Sequence, residues 1–168
     1  MQKLEYDLGN KEAMNLNKKQ IKIVATILQL CLIGALFLPA GRIIENTATG
    51  DSTLSVFGMI ARYAGMGFSD DALFYMILAC IFPSATILCL WLLKDRKNFG
   101  IPTVLNAFYL TASVCFYTAA TKKMVDYATM TELPYLIVTV SLASMLLLIF
   151  GFLATAPVND TDEDDKKG

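Results

Sequence analysis

Four stretches of the chain carry no Asp, Glu, Lys or Arg: residues 23–41, 72–93, 98–121 and 133–159. They are 19, 22, 24 and 27 residues long. A helix rises about 1.5 Å per residue, so about 20 apolar residues match a hydrocarbon core about 30 Å thick. Helices of an aqueous bundle need a polar stripe toward water, and these stretches contain no charge to supply one. The pattern predicts an all-α membrane protein, a four-transmembrane-helix bundle with spans at about 21–40, 72–93, 101–120 and 133–154. A segment of residues 1–20 precedes the bundle, and an acidic tail of residues 157–168 follows it.

The edges of the spans carry the expected punctuation. The first span is entered past Lys18, Lys19 and Lys22 and left through Pro39 and Gly41. Its apolar part is too long and starts too late for a signal peptide, so it is expected to remain in the protein. The second opens at Ser69, a capping residue type, with Asp70 and Asp71 favourably placed at the positive end of the helix dipole. Pro83 at its middle removes the donor for the Ala79 carbonyl and predicts a kink, with Ser84 and Thr86 near enough to relieve it. The third has Pro102 in its first turn, where a missing amide proton costs little. The fourth begins near Thr131, with Glu132 and Pro134 in its first turn.

Between the first two spans lies an outer loop of residues 41–71. Arg42–Glu45 and Thr53–Phe57 have strand composition, and Asn46–Ser52 is rich in turn residues, so a small β-hairpin is predicted. Met59–Ala64 then reads as a short interfacial helix ended by Gly65 and Gly67. The outline resembles claudin-like proteins, whose first loop carries Trp, Gly-Leu-Trp and two cysteines. Residues 41–71 contain neither Trp nor Cys, and tetraspanin cysteine motifs are absent from the outer loops, so no family is assigned.

Charge sets the orientation. With four spans both termini share a side, and that side holds ten basic residues against four (Arg42, Arg62, Lys122, Lys123) on the other. Basic residues are retained in the cytoplasm during insertion, which places both termini there, in the cell membrane. Tyr63, Phe68, Phe74, Tyr75, Tyr117 and Tyr135 fall near the outer boundary, and Trp91 and Phe99 near the inner one, as interfacial rings do. The whole chain has a net charge of −1, which offers nucleic acid no attractive field.

Candidate chemistry is sparse. The chain has no histidine, the commonest general base and metal ligand. Cys31, Cys80, Cys89 and Cys115 lie inside the apolar runs without metal-ligand spacing. No phosphate-binding glycine loop, paired metal ligands or nucleophile elbow is present, so no catalytic residue, metal or cofactor is expected. No charge lies at mid-membrane depth, where proton relays and ion pathways place theirs.

The uncharged polar positions say more. Asn106, Tyr109, Ser113, Tyr117 and Ala120 recur at helical spacing as one stripe on the third span. Thr103, Ala107, Thr111, Cys115 and Thr118 form a neighbouring stripe, which leaves Ile101, Leu105, Phe108, Ala112 and Phe116 for lipid. The third helix should therefore be the most buried. Lys22, Thr26 and Gln29 share a face of the first span, with Gln29 near mid-depth, and Ser141, Ser144, Gly151 and Thr155 give the fourth a face of small residues. Gln29, Asn106, Tyr109, Ser113 and Tyr117 are the candidate site residues. They either join helices by hydrogen bonds or line a polar cavity. The expected partners are the lipid bilayer and either another membrane protein or a second copy of the chain. The expected role is an accessory, non-catalytic one, with a small oligomeric channel or facilitator as the alternative.

Overall fold

The structure is a computed structural model. It describes residues 2–43, 53–94, 97–126 and 128–155, with side chains from Lys18 onward. The expected turn at 46–52, the last two residues of the first expected strand, Arg96 and the acidic tail lie outside the described residues. In chain order the elements are α1 (Gln2–Ala35), β1 (Pro39–Ile43), β2 (Thr53–Ser55), α2 (Val56–Gly65), α3 (Ser69–Leu92), α4 (Lys97–Lys123), β3 (Ala128–Met130) and α5 (Leu133–Leu153).

Three helices, α3, α4 and α5, are long and apolar enough to cross a membrane. Their outward faces are apolar too: Leu73, Ile77, Ile81, Leu88, Phe108, Leu146 and Phe150 are all exposed. Water would penalise such a surface, whereas lipid tails do not. Neighbouring contacts run α1 to α3, α3 to α4, α4 to α5 and α5 back to α1, so the four long helices close a ring. The buried share of α4 is only slightly above that of α3 and α5 (33% against 28%), so its burial advantage is small.

Several expectations are corrected in detail. The first helix ends at Ala35, because Pro39 and Ala40 join a strand. Val56 and Phe57 begin α2 instead of continuing β2. Phe68, not Ser69, occupies the cap position of α3, without a side-chain bond. Ser84 Oγ donates to the Cys80 carbonyl at 2.8 Å, and the buried Thr86 hydroxyl has no partner, so neither relieves Ala79. Phe116, assigned to lipid by its spacing, is buried, while Thr111, Cys115 and Thr118 of the neighbouring stripe are exposed. Thr111 satisfies its hydroxyl on the Ala107 carbonyl of its own helix, 2.9 Å away, so an apolar surrounding would not leave it unpaired. Tyr63, Tyr75, Tyr117 and Phe99 are buried in the protein, so of the expected interfacial rings Phe74, Trp91 and Tyr135 are the exposed ones.

A compact lid covers one end of the ring. Its sheet is antiparallel in the order β2-β1-β3, with Arg42 opposite Thr53 on one side and Thr129 on the other. The β1 and β2 pair supplies the two arms of the expected hairpin; β3 comes from the second outer connection and was not foreseen. Gly41 at the centre is tightly surrounded: a Cβ there would lie 3.3 Å from Met59 Sδ and 3.4 Å from the Thr129 carbonyl oxygen. Thr131 closes the third strand, its amide and hydroxyl donating to the Ala40 and Pro39 carbonyls. Helix α2 starts on Ser55, whose Oγ accepts from the Gly58 amide at 3.2 Å, a cap of the usual kind. Val56, Met59, Ile60 and Tyr63 recur at helical spacing and form its buried face. Gly67, at φ 95°, turns the chain into α3 in a conformation that favours glycine.

Candidate functional site

Four of the five candidate residues lie on one buried face of α4, where Gln29 of α1 meets Asn106, and the contacts there form two groups. The first lies at the middle of the ring. Gln29 of α1 donates from Nε2 to Asn106 Oδ1 of α4 at 2.9 Å and to Ser144 Oγ of α5 at 2.7 Å. Asn106 Nδ2 in turn donates to the Ser141 carbonyl at 2.8 Å. Three helices are thus tied by three bonds, and α1 reaches α4 across the ring. Gln29 is fully buried, as are Ser141 and Ser144. Such bonds persist because the alternative, an unsatisfied amide in hydrocarbon, is costly. The small residues at 141 and 144 let the amides approach. The same face continues to Gly151, where a Cβ would fall 2.6 Å from the Phe99 ring.

The second group lies toward the lid. Tyr117 Oη accepts a hydrogen bond from Tyr75 Oη of α3 at 3.1 Å. Tyr75 stacks on Phe116 with ring centroids 4.1 Å apart and planes 2° from parallel. Phe116 meets Tyr63 of α2 edge-on at 5.6 Å, and Tyr63 stacks on Phe68 at 4.8 Å. This chain of rings joins the lid to α3 and α4, and geometries of this kind each add about 0.5–1.5 kcal/mol beyond their buried area. Burial and the nearby Asp71 charge raise the Tyr63 phenol above its ordinary pKa. Tyr109 and Ser113, also buried, lie between the two groups, and their hydroxyls have no hydrogen-bond partner. Gln29 Oε1, Thr86 Oγ1 and Ser141 Oγ are unpartnered as well.

Sequence spacing placed Asn106, Tyr109, Ser113 and Tyr117 on one face, and the structure keeps them there. It adds Tyr75, Phe116, Ser141 and Ser144, whose roles spacing alone did not reveal. Ser141 and Ser144 had a signal, their place on the small-residue face of α5. Tyr75 had none, since its position fits an interfacial ring equally well.

At the opposite end, Trp91 Nε1 donates to Thr26 Oγ1 at 3.0 Å, and Lys22 Nζ lies 5.9 Å from the Trp91 ring centroid and 6.0 Å from that of Phe99. Lys22 and Thr26, read as one face with Gln29, therefore meet α3. Lys22 also approaches α4, through the Phe99 ring. Among the described residues no three His, Cys, Asp or Glu side chains are grouped to hold a metal ion. The four cysteines are free thiols.

A groove of about 840 Å³ opens between the lid and the end of α4, lined by Ile43, Leu54, Arg62, Met66, Phe68 and Lys123 among others. A smaller hollow of about 330 Å³ lies between α4 and α5 beside Tyr117 and Tyr135. Comparisons with family models, curated proteins and solved structures returned no match to this chain.

Proposed function

We propose that the chain crosses the bilayer of the cell membrane four times, with both termini cytoplasmic and the lid outside. It acts there as an accessory protein that holds another membrane protein through its lid or helix faces. The fourth crossing is α1. From Lys18 to Ala35 it has 18 residues, about 27 Å of helix, which suffices when lysines at the edge extend their ammonium groups to the headgroups. The charge asymmetry of ten basic residues against four supports the orientation.

The observation that carries the accessory role is the Gln29, Asn106 and Ser144 cluster. The amide groups best suited to line a passage bond instead to one another across the ring, so their use is to hold helices together. The lid, fixed over one end of the ring by Tyr63, Phe116 and Tyr75, supports the same reading. A photocrosslinking amino acid placed in native membranes at Ala61 or Thr129, both on the lid, should give an adduct of one mass from either position. No protein adduct from lid or helix positions would refute the role.

A second reading, a small oligomeric channel or facilitator with a cavity lined by α4, is favoured by the unpartnered atoms at Gln29, Thr86, Tyr109, Ser113 and Ser141, five of the six such buried atoms among the described residues. It requires solute flux in proteoliposomes that falls when Gln29 or Asn106 becomes leucine. Unchanged flux in both variants removes it.

A further inference from the structure

The groove at the lid end combines an apolar floor with a basic rim. Its floor is apolar, made by Ile43, Leu54 and Met66, and its rim carries two cations, Arg62 from α2 and Lys123 from the last turn of α4, the latter seated on Phe68. No acidic residue is among the described residues that line it. Neither cation forms an ion pair among the described residues, and Asp71 faces a separate hollow beside Tyr63 and Phe74. Lys123 is held in the groove, its Nζ 3.4 Å from the centroid of the Phe68 ring, an arrangement that keeps the charge in place without neutralising it.

The location narrows the ligand. Phe68 immediately precedes α3 and Lys123 ends α4, so the groove lies where the apolar spans give way to the lid. The exposed rings of Phe74 and Tyr135 lie one to two turns inside or at the start of their helices. A site at that depth meets lipid headgroups at high local concentration. Its volume lies within the range of about 300–1,000 Å³ typical of small-ligand pockets.

We infer that this groove binds the headgroup of an anionic phospholipid of the outer leaflet, its phosphate between Arg62 and Lys123 and its glycerol and upper acyl carbons on the Ile43, Leu54 and Met66 side chains. Arginine can offer a paired N–H fork to phosphate oxygens and lysine a point charge. The setting in the outer leaflet rests on the four-span reading above; the binding itself does not.

Gly65 supplies a selective test. It lines the groove, and nothing lies within 4 Å of where its Cβ would be, so a larger side chain enters open space. The full chain, purified in detergent, is mixed with equal amounts of phosphatidylglycerol and phosphatidylcholine, and retained lipid is counted by native mass spectrometry. Wild type should retain phosphatidylglycerol about 25-fold more than phosphatidylcholine, since each of the two basic residues contributes about fivefold near an anionic lipid. Arg62→Gln combined with Lys123→Gln should reduce the preference to less than about twofold. Gly65→Leu should lower retention of both lipids, and Lys94→Gln at the far end should change nothing. Thermal unfolding in phosphatidylcholine micelles, unaltered in all three variants, shows that the fold is intact.

Equal retention of the two lipids by wild type overturns the assignment, as does a preference that survives both groove variants. Soluble glycerophosphate competing as well as the intact lipid shows that the apolar floor is unused, and an acidic peptide binding more tightly in the same groove makes it a peptide site; either result refutes the lipid assignment. Selective retention together with a lid mapped to the cytoplasmic face would leave the site standing and remove the orientation, so the two failures are distinguishable.

Discussion

Replacing Asn106 with leucine removes, in one step, the acceptor for Gln29 Nε2 and the donor to the Ser141 carbonyl. Both bonds join different helices, and Asn106 is 1% exposed, so lipid or water cannot replace them from outside. Leucine is similar in size and leaves little cavity. Interhelical hydrogen bonds within membranes average about 0.6 kcal/mol and reach about 1.7, so the loss of two costs about 1–3 kcal/mol. Gln29→Leu removes two bonds as well, to Asn106 and Ser144, and deletes the unpartnered Oε1, which places it toward the lower end of that range. The singles share one bond. The double variant should therefore be less destabilised than the sum of the singles by about 0.6–1.7 kcal/mol. Reversible unfolding in mixed micelles, followed by the fluorescence of the sole tryptophan, Trp91, measures all three. Ile81→Leu, at an exposed position of α3, is the control and should stay within about 0.5 kcal/mol of wild type. Additivity of the two singles within about 0.3 kcal/mol would refute direct pairing of the amides, and a stabilising Asn106→Leu would refute the cluster as a helix-joining device.

Gly151→Ala pushes a methyl group into the Phe99 ring and should destabilise the bundle by about 1–3 kcal/mol, whereas Gly34→Ala, with open space around it, should be neutral or gain up to about 1 kcal/mol in the same unfolding assay. Ser55→Ala removes the cap of α2 and should cost about 1 kcal/mol, read as faster amide exchange in the Val56–Gly65 helix with the spans unaffected. Thr26→Val deletes the acceptor for Trp91 Nε1 and should move its emission to shorter wavelength; in either protein, bromine near the lipid headgroups should quench Trp91 more than bromine at the chain ends.

The three long apolar helices were legible because charge-free runs of 22 to 27 residues leave a helix no aqueous face, and α3, α4 and α5 follow them closely. The end of α1 was not. Residues 36–40 continue the apolar run, and what draws Pro39 and Ala40 out of the helix is pairing with two distant strands. One of these, Ala128–Met130, is three residues long and is a strand only because β1 lies beside it. Rotation about the helix axes was the second hidden quantity. Tyr75 and Tyr117 lie at interfacial depth whether they face lipid or protein, and it took the packing of α3 on α4 to turn them inward. For α4 the chosen polar stripe was buried as read, but Phe116 shows that the lipid strip was drawn too wide. Gln29 and Asn106 could each be placed at mid-depth; that they meet, 77 residues apart, depends on the order of helices around the ring.

The number of crossings decides the account, because a bundle with α1 lying outside the membrane would put the lid and the N-terminal segment on one face. In a variant lacking the four native cysteines, single cysteines at Gln2, Ala61, Asn98 and Gly168 can be tested with a membrane-impermeant maleimide applied to intact cells. The account expects labelling of Ala61→Cys from outside, and of the other three only after the cells are opened. Labelling of Gln2→Cys from outside, with Gly168→Cys still protected, would contradict it.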